Sequence, residues 1–255
     1  MYYYVYDSQA LAREAQRITT KVETQINNLG LSGERGQVSA LRSIEDLVRD
    51  AARKKYSPII TVGEDASFNA ALNAIARTKS SVPLGYIPLG EQQPMAQLLG
   101  VDPESAVVSL SRRIIRWVPL AQAGKAYFLS FVRFVLPEAP AKKTFLERIF
   151  SKREDSFLAE LTLDDSLKAR VQAQGLTVHF NPERKKLRVE IQGGITRGRK
   201  AQPDLSVVWA KKIRLAGTPQ LACLIDGRPV TRTPITIAVS DVQVPIIVGR
   251  TRAFV

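Results

Sequence analysis

Two hydrophobic periods follow one another along this chain, and the change between them divides it. In the first hundred residues, short apolar runs alternate with segments of helical period. Tyr2 to Tyr6 is an aromatic and β-branched run that predicts a strand, with Asp7-Ser8 after it as cap candidates. Leu11, Ala15, Ile18, Val22 and Ile26 then recur every three or four residues, and Gly30 stands just past them, which predicts an amphipathic helix with a stop. Ser43 opens a second helix, with Asp46 at the third position and Ile44, Leu47, Val48 and Ala51 on one face. Pro58 to Gly63 is short and apolar enough for a buried parallel strand, and Phe68, Ala71, Leu72 and Ile75 give the next helix. Leu84 to Pro88 predicts another strand, and Met95 to Leu99 a short helix closed by Gly100.

Beyond about residue 103 the period becomes two. Val107–Leu110, Arg113–Val118, Ala126–Val135, Leu176–Phe180, Leu187–Ile191, Leu205–Val208, Lys212–Leu215, Leu221–Ile225 and Ile235–Val239 are short segments separated by Gly, Pro and Asp, the spacing of an all-β unit. A charge-rich stretch from Pro137 to about Arg170 reads as a helical insertion, with Asp164 and Asp165 capping a helix. The fold class expected is therefore α/β plus all-β. A Rossmann-like open α/β domain over residues 1–102 precedes a β-sandwich domain over 103–255, with the boundary near Val101 to Glu104.

Composition bounds the classes. The chain has 255 residues, 45% of them hydrophobic and 24% charged, which is normal for a globular protein and excludes a disordered or collagenous chain. No apolar run approaches the roughly 20 residues of a membrane helix. Cys223 is a single cysteine and His179 a single histidine, so neither an internal disulfide nor a Cys/His zinc site is available. Cys223, Trp117 and Trp209 read as packing residues, and His179 as a surface or packed histidine. The first residues lack a basic then apolar leader, and the compartment expected is the cytoplasm. The net charge of +13 favours anionic partners, whether nucleotide, lipid headgroup or nucleic acid. It concentrates towards the end: from Gly193 to Val255 there are ten Lys/Arg against three Asp, and this predicts a basic face.

Candidate chemistry sits in two turns. Val62-Gly63-Glu64-Asp65-Ala66-Ser67-Phe68-Asn69 joins a buried strand to a helix, where backbone N–H groups and the helix dipole favour an anion. About twenty residues on, Pro88-Leu89-Gly90-Glu91-Gln92-Gln93-Pro94-Met95-Ala96 repeats the arrangement after the next strand. At these residues the chain resembles the diacylglycerol kinase catalytic-domain family, which includes bacterial lipid kinases and sphingosine kinases. Gly63, Asp65, Asn69 and Asn73, with Ser67 in place of Thr, match that family's Gly-Gly-Asp-Gly-Thr turn and the helix after it. Pro88, Leu89, Gly90 and Ala96 match its Pro-Leu-Gly-Thr-Gly-Asn-Asp-Phe-Ala element, which NAD kinases lack. Leu224-Ile225-Asp226-Gly227-Arg228 looks like its Asp-Gly-Glu strand turn.

The resemblance implies transfer of the γ-phosphoryl of ATP, with Mg²⁺, to a lipid hydroxyl. It implies cofactor contacts at Gly63, Glu64, Asp65, Ser67, Asn69, Gly90 and Glu91, a catalytic role for Asp65, and metal contacts at Asp65 and Asp226. Capping explains Asp65, Ser67 and Asn69 equally well. The chain departs from the pattern where phosphate binds. Glu64 and Ala66 replace two glycines, Glu91 replaces Thr, and Gln92-Gln93-Pro94 replaces Gly-Asn-Asp. Tyr6-Asp7-Ser8-Gln9 replaces an Asn-Pro-x-Ser-Gly turn, and Arg228 replaces the glutamate that assists deprotonation of the acceptor. Two like charges about 4 Å apart repel by roughly 4 kcal/mol at an effective dielectric of 20. A lipid-kinase relative with weak or no phosphotransfer, peripheral to the inner membrane face, is the reading these residues favour. Two alternatives stay open: an active lipid kinase whose carboxylates bind Mg²⁺, and a non-catalytic basic module for anionic membrane or nucleic acid.

Overall fold

The computed structural model describes residues 1–10, 12–13, 15–90, 93–137, 156–193 and 205–254. The chain forms two compact units. The first comprises Met1–Leu120, Tyr127–Ser130 and Ser240–Val255, and the second Ala121–Ala126 and Phe131–Val239.

In the first unit β1 (Tyr2–Tyr6), α1 (Gln16–Asn28), β2 (Gly33–Gln37), α2 (Ile44–Arg53), β3 (Ile59–Gly63), α3 (Asp65–Thr78), β4 (Leu84–Pro88), α4 (Pro94–Leu99) and α5 (Ala106–Arg112) succeed one another. The strands lie in the order β4-β3-β1-β2, all parallel. Every residue of β3 and β4 is buried, which is why both read as continuous apolar runs rather than alternations. Between them and the helices lie fully buried Val48, Phe68 and Leu72, and burying a side chain the size of Phe68 contributes about 2 kcal/mol. The chain moves from β1 to β2 on one side and to β3 on the other. The β1/β3 boundary is therefore the switch point beside which open α/β sheets place ligands.

Local signals set α2 and the ends of α1 and α4. Ser43 Oγ accepts from the Asp46 amide at 3.2 Å while Asp46 Oδ2 accepts from the Ser43 amide at 3.1 Å, the capping box that the sequence predicts. Two expectations fail in this unit, and one strand was not foreseen. The first helix starts at Gln16, not directly after Asp7-Ser8, because the Asp7 carboxylate is engaged elsewhere. The polar edge strand β2, Gly-Glu-Arg-Gly-Gln, carries no apolar pattern and was invisible to periodicity. Val107–Leu110 is helix α5, not a strand: Asp102 Oδ1 accepts from the Glu104 and Ser105 amides at 2.9 and 2.8 Å, starting a turn that buries Ala106, Val107 and Leu110 together.

The remaining strands are β5 (Ile115–Ala123), β6 (Ala126–Phe128), β7 (Phe131–Val135), β8 (Phe157–Leu163), β9 (Leu167–Asn181), β10 (Lys186–Gly193), β11 (Leu205–Ala210), β12 (Lys212–Thr218), β13 (Ala222–Ile225), β14 (Arg228–Arg232) and β15 (Ile235–Ile247). In the second unit pairing is antiparallel. β9 takes β8 along its first half and β7 and β10 along its second. The helical insertion expected to about Arg170 is corrected from residue 157 on. Phe157, Ala159, Leu161 and Leu163 are buried alternately along β8, a period of two that the flanking charges obscured. Residues 138–155 lie outside the described residues. Asp164 and Asp165 cap no helix; with φ of 47° and 59° they form the tight turn from β8 to β9, and Asp164 Oδ1 accepts from the Lys211 and Lys212 amides.

A single boundary near residue 102 does not describe this division. Residues 103–120 and the final segment join the first unit, because β15 ends beside β4, with Ile246 opposite Leu84. The Gly249 and Ala253 amides then donate to the carbonyls of Leu99 and Leu98 at 2.9 and 3.0 Å. That last stretch covers an edge that β4 would otherwise leave unpaired. Among the described residues no helix is long and apolar enough to cross a membrane.

Candidate functional site

Parallel register brings the ends of three strands to one place. Tyr6 lies opposite Val62, and Gly63 opposite Pro88, so Asp7, Glu64 and Leu89 all follow at the carboxyl edge of the sheet. Asp7 donates its amide to Val62 O at 3.1 Å, and Leu89 its amide to Gly63 O at 2.8 Å.

The Asp7 carboxylate is 4% exposed and turns into the start of α3. Its Oδ2 accepts from the Glu64 amide at 2.8 Å and from Ser67 Oγ at 2.6 Å, while Oδ1 accepts from the Ala10 amide at 2.9 Å. Gly63 makes room for it: φ is +154°, and a Cβ here would stand 1.8 Å from Asp7 Oδ2.

A second clamp links α3 to α4. The Asp65 amide donates to Gln93 Oε1 at 2.8 Å. The Asp65 carboxylate accepts from Tyr86 Oη at 2.9 Å on Oδ1 and from the Met95 amide at 2.7 Å on Oδ2. It therefore caps α4, whereas Glu64, at the N-cap position of α3, makes no cap with its own side chain. Gln93 Nε2 donates to Leu89 O at 3.2 Å, closing the turn around Gly90, which has φ of +125°. Tyr86 is held by ring contact with Phe68, centroids 4.9 Å apart. Burial pushes the Asp65 carboxyl above its usual 3.8, opposed by the hydrogen bonds from Met95, Tyr86 and Ala96.

Asn73, on the next turns of α3, pairs with the backbone as a peptide would. Its Oδ1 accepts from the Tyr127 amide at 2.8 Å, and its Nδ2 donates to Tyr127 O at 2.8 Å and to Asn69 O at 2.9 Å. Asn69 is buried beside it.

Of the residues expected at a phosphate site, the structure groups Gly63, Glu64, Asp65, Ser67 and Gly90, with Asn69 one turn along α3. Glu91 lies outside the described residues. Asp226 and Arg228 are in the second unit, at the turn between β13 and β14, where Asp226 and Gly227 have φ of 47° and 79°. Asp7, Tyr86 and Gln93 were missed. Asp7 and Gln93 each carried a signal, standing where the chain departs from the turns of the resembled family, and Tyr86 carried none. Chemically, the two N–H groups that open α3 already face side-chain oxygens, a carboxylate at Glu64 and an amide at Asp65. This is the position at which a helix start receives an anion. Among the described residues no three His, Cys, Asp or Glu side chains converge as a metal site.

Two readings of packing residues also change. Trp117 is 57% exposed and Trp209 is 37% exposed, so neither fills a core. His179 is beside Glu190, Nε2 to Oε2 3.3 Å, and Cys223 is fully buried as expected.

Comparison with known proteins follows the same residues. The model of the diacylglycerol kinase catalytic domain matches residues 2–123. A protein from Bacillus anthracis str. Sterne assigned as a diacylglycerol kinase superposes with a TM-score of 0.78 at 16% identity, covering 98% of this chain and 97% of its own. A second Bacillus anthracis diacylglycerol kinase structure gives 0.75 at 16% identity, with 99% and 98% covered. An NAD kinase from Archaeoglobus fulgidus, solved in complex with ATP, gives 0.62 at 17% identity, with 99% and 95% covered. No curated protein matches the chain in sequence. Residues 2–123 thus match the diacylglycerol kinase catalytic-domain model, and the chain has the two-domain fold of the diacylglycerol kinase and NAD kinase structures.

Proposed function

We propose that this is a lipid-kinase relative in which ATP-dependent phosphorylation of a lipid hydroxyl is weak or lost, because its phosphate turn is closed from within. One observation carries the reading: the Asp7 carboxylate occupies the Glu64 amide and the Ser67 hydroxyl at the start of α3. A phosphate oxygen brought within about 4 Å of that carboxylate is repelled by roughly 4 kcal/mol at an effective dielectric of 20, about 10³-fold in affinity. The Glu64 side chain adds a second negative charge to the same turn.

The residues present do not fit Mg²⁺-ATP held as the resembled family holds it. Each Asp65 oxygen already accepts a hydrogen bond, Oδ1 from Tyr86 and Oδ2 from the Met95 amide, so a cation would have to compete with both. Arg228 stands at the expected base position, and a guanidinium does not accept a proton near neutral pH. An adenine nucleotide is nonetheless the ligand class to test, since the NAD kinase neighbour was solved with ATP.

The test is a thermal-shift titration with ATP, with and without Mg²⁺, beside an assay of labelled phosphate transfer to diacylglycerol in mixed micelles. The expected result is no stabilisation of the wild type at millimolar ATP and no transfer. Glu64→Gly, which leaves the Asp7 network in place, is expected to recover part of the nucleotide affinity. Stabilisation of the wild type by ATP, with transfer abolished in Asp65→Ala, would overturn the proposal in favour of an active kinase.

A further inference from the structure

The basic residues of the last quarter that the structure describes are divided between the two units. Lys212 and Arg214 are paired with Asp165 at 2.8 and 3.3 Å. Arg228 and Arg232 are on β14 in the second unit, whereas Arg250 and Arg252 are in the first. Arg197, Arg199 and Lys200 lie outside the described residues.

A denser set lies within the first unit, where α5 runs into β5. Arg112 ends α5, Arg113 is its C-cap with φ of 52°, and Arg116 and Trp117 follow at the start of β5. The Val248 amide donates to Ile114 O at 2.9 Å, which brings Arg250 to the same end. All four arginines are exposed. Among the described residues none has a carboxylate within ion-pair distance, although Lys21, Arg35, Arg42 and Arg49 of the same unit all do. In the same stretch of chain Trp117 is 57% exposed, and Val108 on the preceding helix is 37% exposed.

We propose that this end of the first unit docks on an anionic phospholipid surface. Unpaired guanidinium groups match headgroup phosphates in charge and geometry. A basic residue near such a surface strengthens binding by about fivefold, so the four together act far beyond what one contributes. An exposed indole and an exposed aliphatic side chain suit the interfacial layer, where Trp is favoured. Single-stranded nucleic acid is the poorer match, since it is held by successive stacking platforms and this patch offers one indole. The surface uses no residue of the α3 turn, and the proposal stands whether or not nucleotide binds there.

Flotation of the full chain with vesicles tests it. Vesicles of phosphatidylcholine with phosphatidylglycerol are expected to carry the protein, and phosphatidylcholine alone not. Arg112→Gln with Arg116→Gln is expected to weaken binding about 25-fold. Arg228→Gln with Arg232→Gln, the same charge loss on exposed β14, is expected to leave it unchanged. In a Trp209→Phe background, Trp117 emission should shift to the blue on anionic vesicles. Equal loss in both arginine pairs would reduce the effect to net charge and overturn the proposal, as would an Arg112/Arg116 pair that binds like wild type. Tighter binding to a single-stranded oligonucleotide than to vesicles, lost in the same pair, would assign the surface to nucleic acid instead.

Discussion

Asp65 carries a charge that burial makes costly, and its titration couples to folding. Its carboxyl is held above 3.8 by desolvation, so the folded protein retains a proton that the unfolded chain releases. The stability from this group is complete below about 3.8 and is lost as pH rises through the folded value. Asp65→Asn removes that titration. In urea unfolding at a series of pH values, the wild type should lose stability relative to the variant as pH rises from about 4; a wild type that gains instead would reverse the sign of the burial effect. Cys223 gives a second test at this scale. Burial pushes its thiol up to about 12, so it stays protonated near neutrality. A maleimide should fail to label the folded protein and label it fully in guanidinium chloride, read by mass. Its role was legible because a lone cysteine between Leu221 and Leu224 has few other readings. The role of Asp65 was not, since both capping and ligand contact fit its position, and its partners Tyr86 and Met95 are 21 and 30 residues away.

At the scale of elements, two helix starts contrast. α2 is set by Ser43 and Asp46, three residues apart, and the sequence shows it in full. Ser43→Ala should cost about 1 kcal/mol in urea unfolding. The start of α3 is set by Asp7, 57 and 60 residues from its partners Glu64 and Ser67. Asp7→Ala leaves the amides of Ala10 and Glu64 and the Ser67 hydroxyl without their charged acceptor, and should cost about 3 kcal/mol. A smaller loss for Asp7 than for Ser43 would show that the carboxylate does not organise this turn. Read locally, Asp7 looks like the cap of the next helix; only the register of β1 against β3 reveals which helix it serves.

At the scale of the whole molecule, the first unit is closed by residues far from its own sequence. The match to the catalytic-domain model ends at residue 123, but the unit also needs Tyr127–Ser130 and Ser240–Val255. Removing residues 240–255 uncovers the edge of β4 and takes buried Val244, Ile246 and Val248 out of the core. That truncation should abolish the cooperative thermal transition of the first unit, measured by near-ultraviolet circular dichroism. A transition that survives unchanged would mean the last segment is dispensable. Periodicity could not show this, because β15 reads as one strand whichever unit receives its ends.

By itself the sequence determined what nearest neighbours decide: buried parallel strands from unbroken apolar runs, a capping box, and glycines where the chain must turn. The family likeness belongs here too, since two turns kept their order and spacing. Tertiary structure alone decided which oxygens face the start of α3 and which arginines stand together unpaired. Those outcomes depend on strand register and on segments more than a hundred residues apart, and no local pattern encodes such separations.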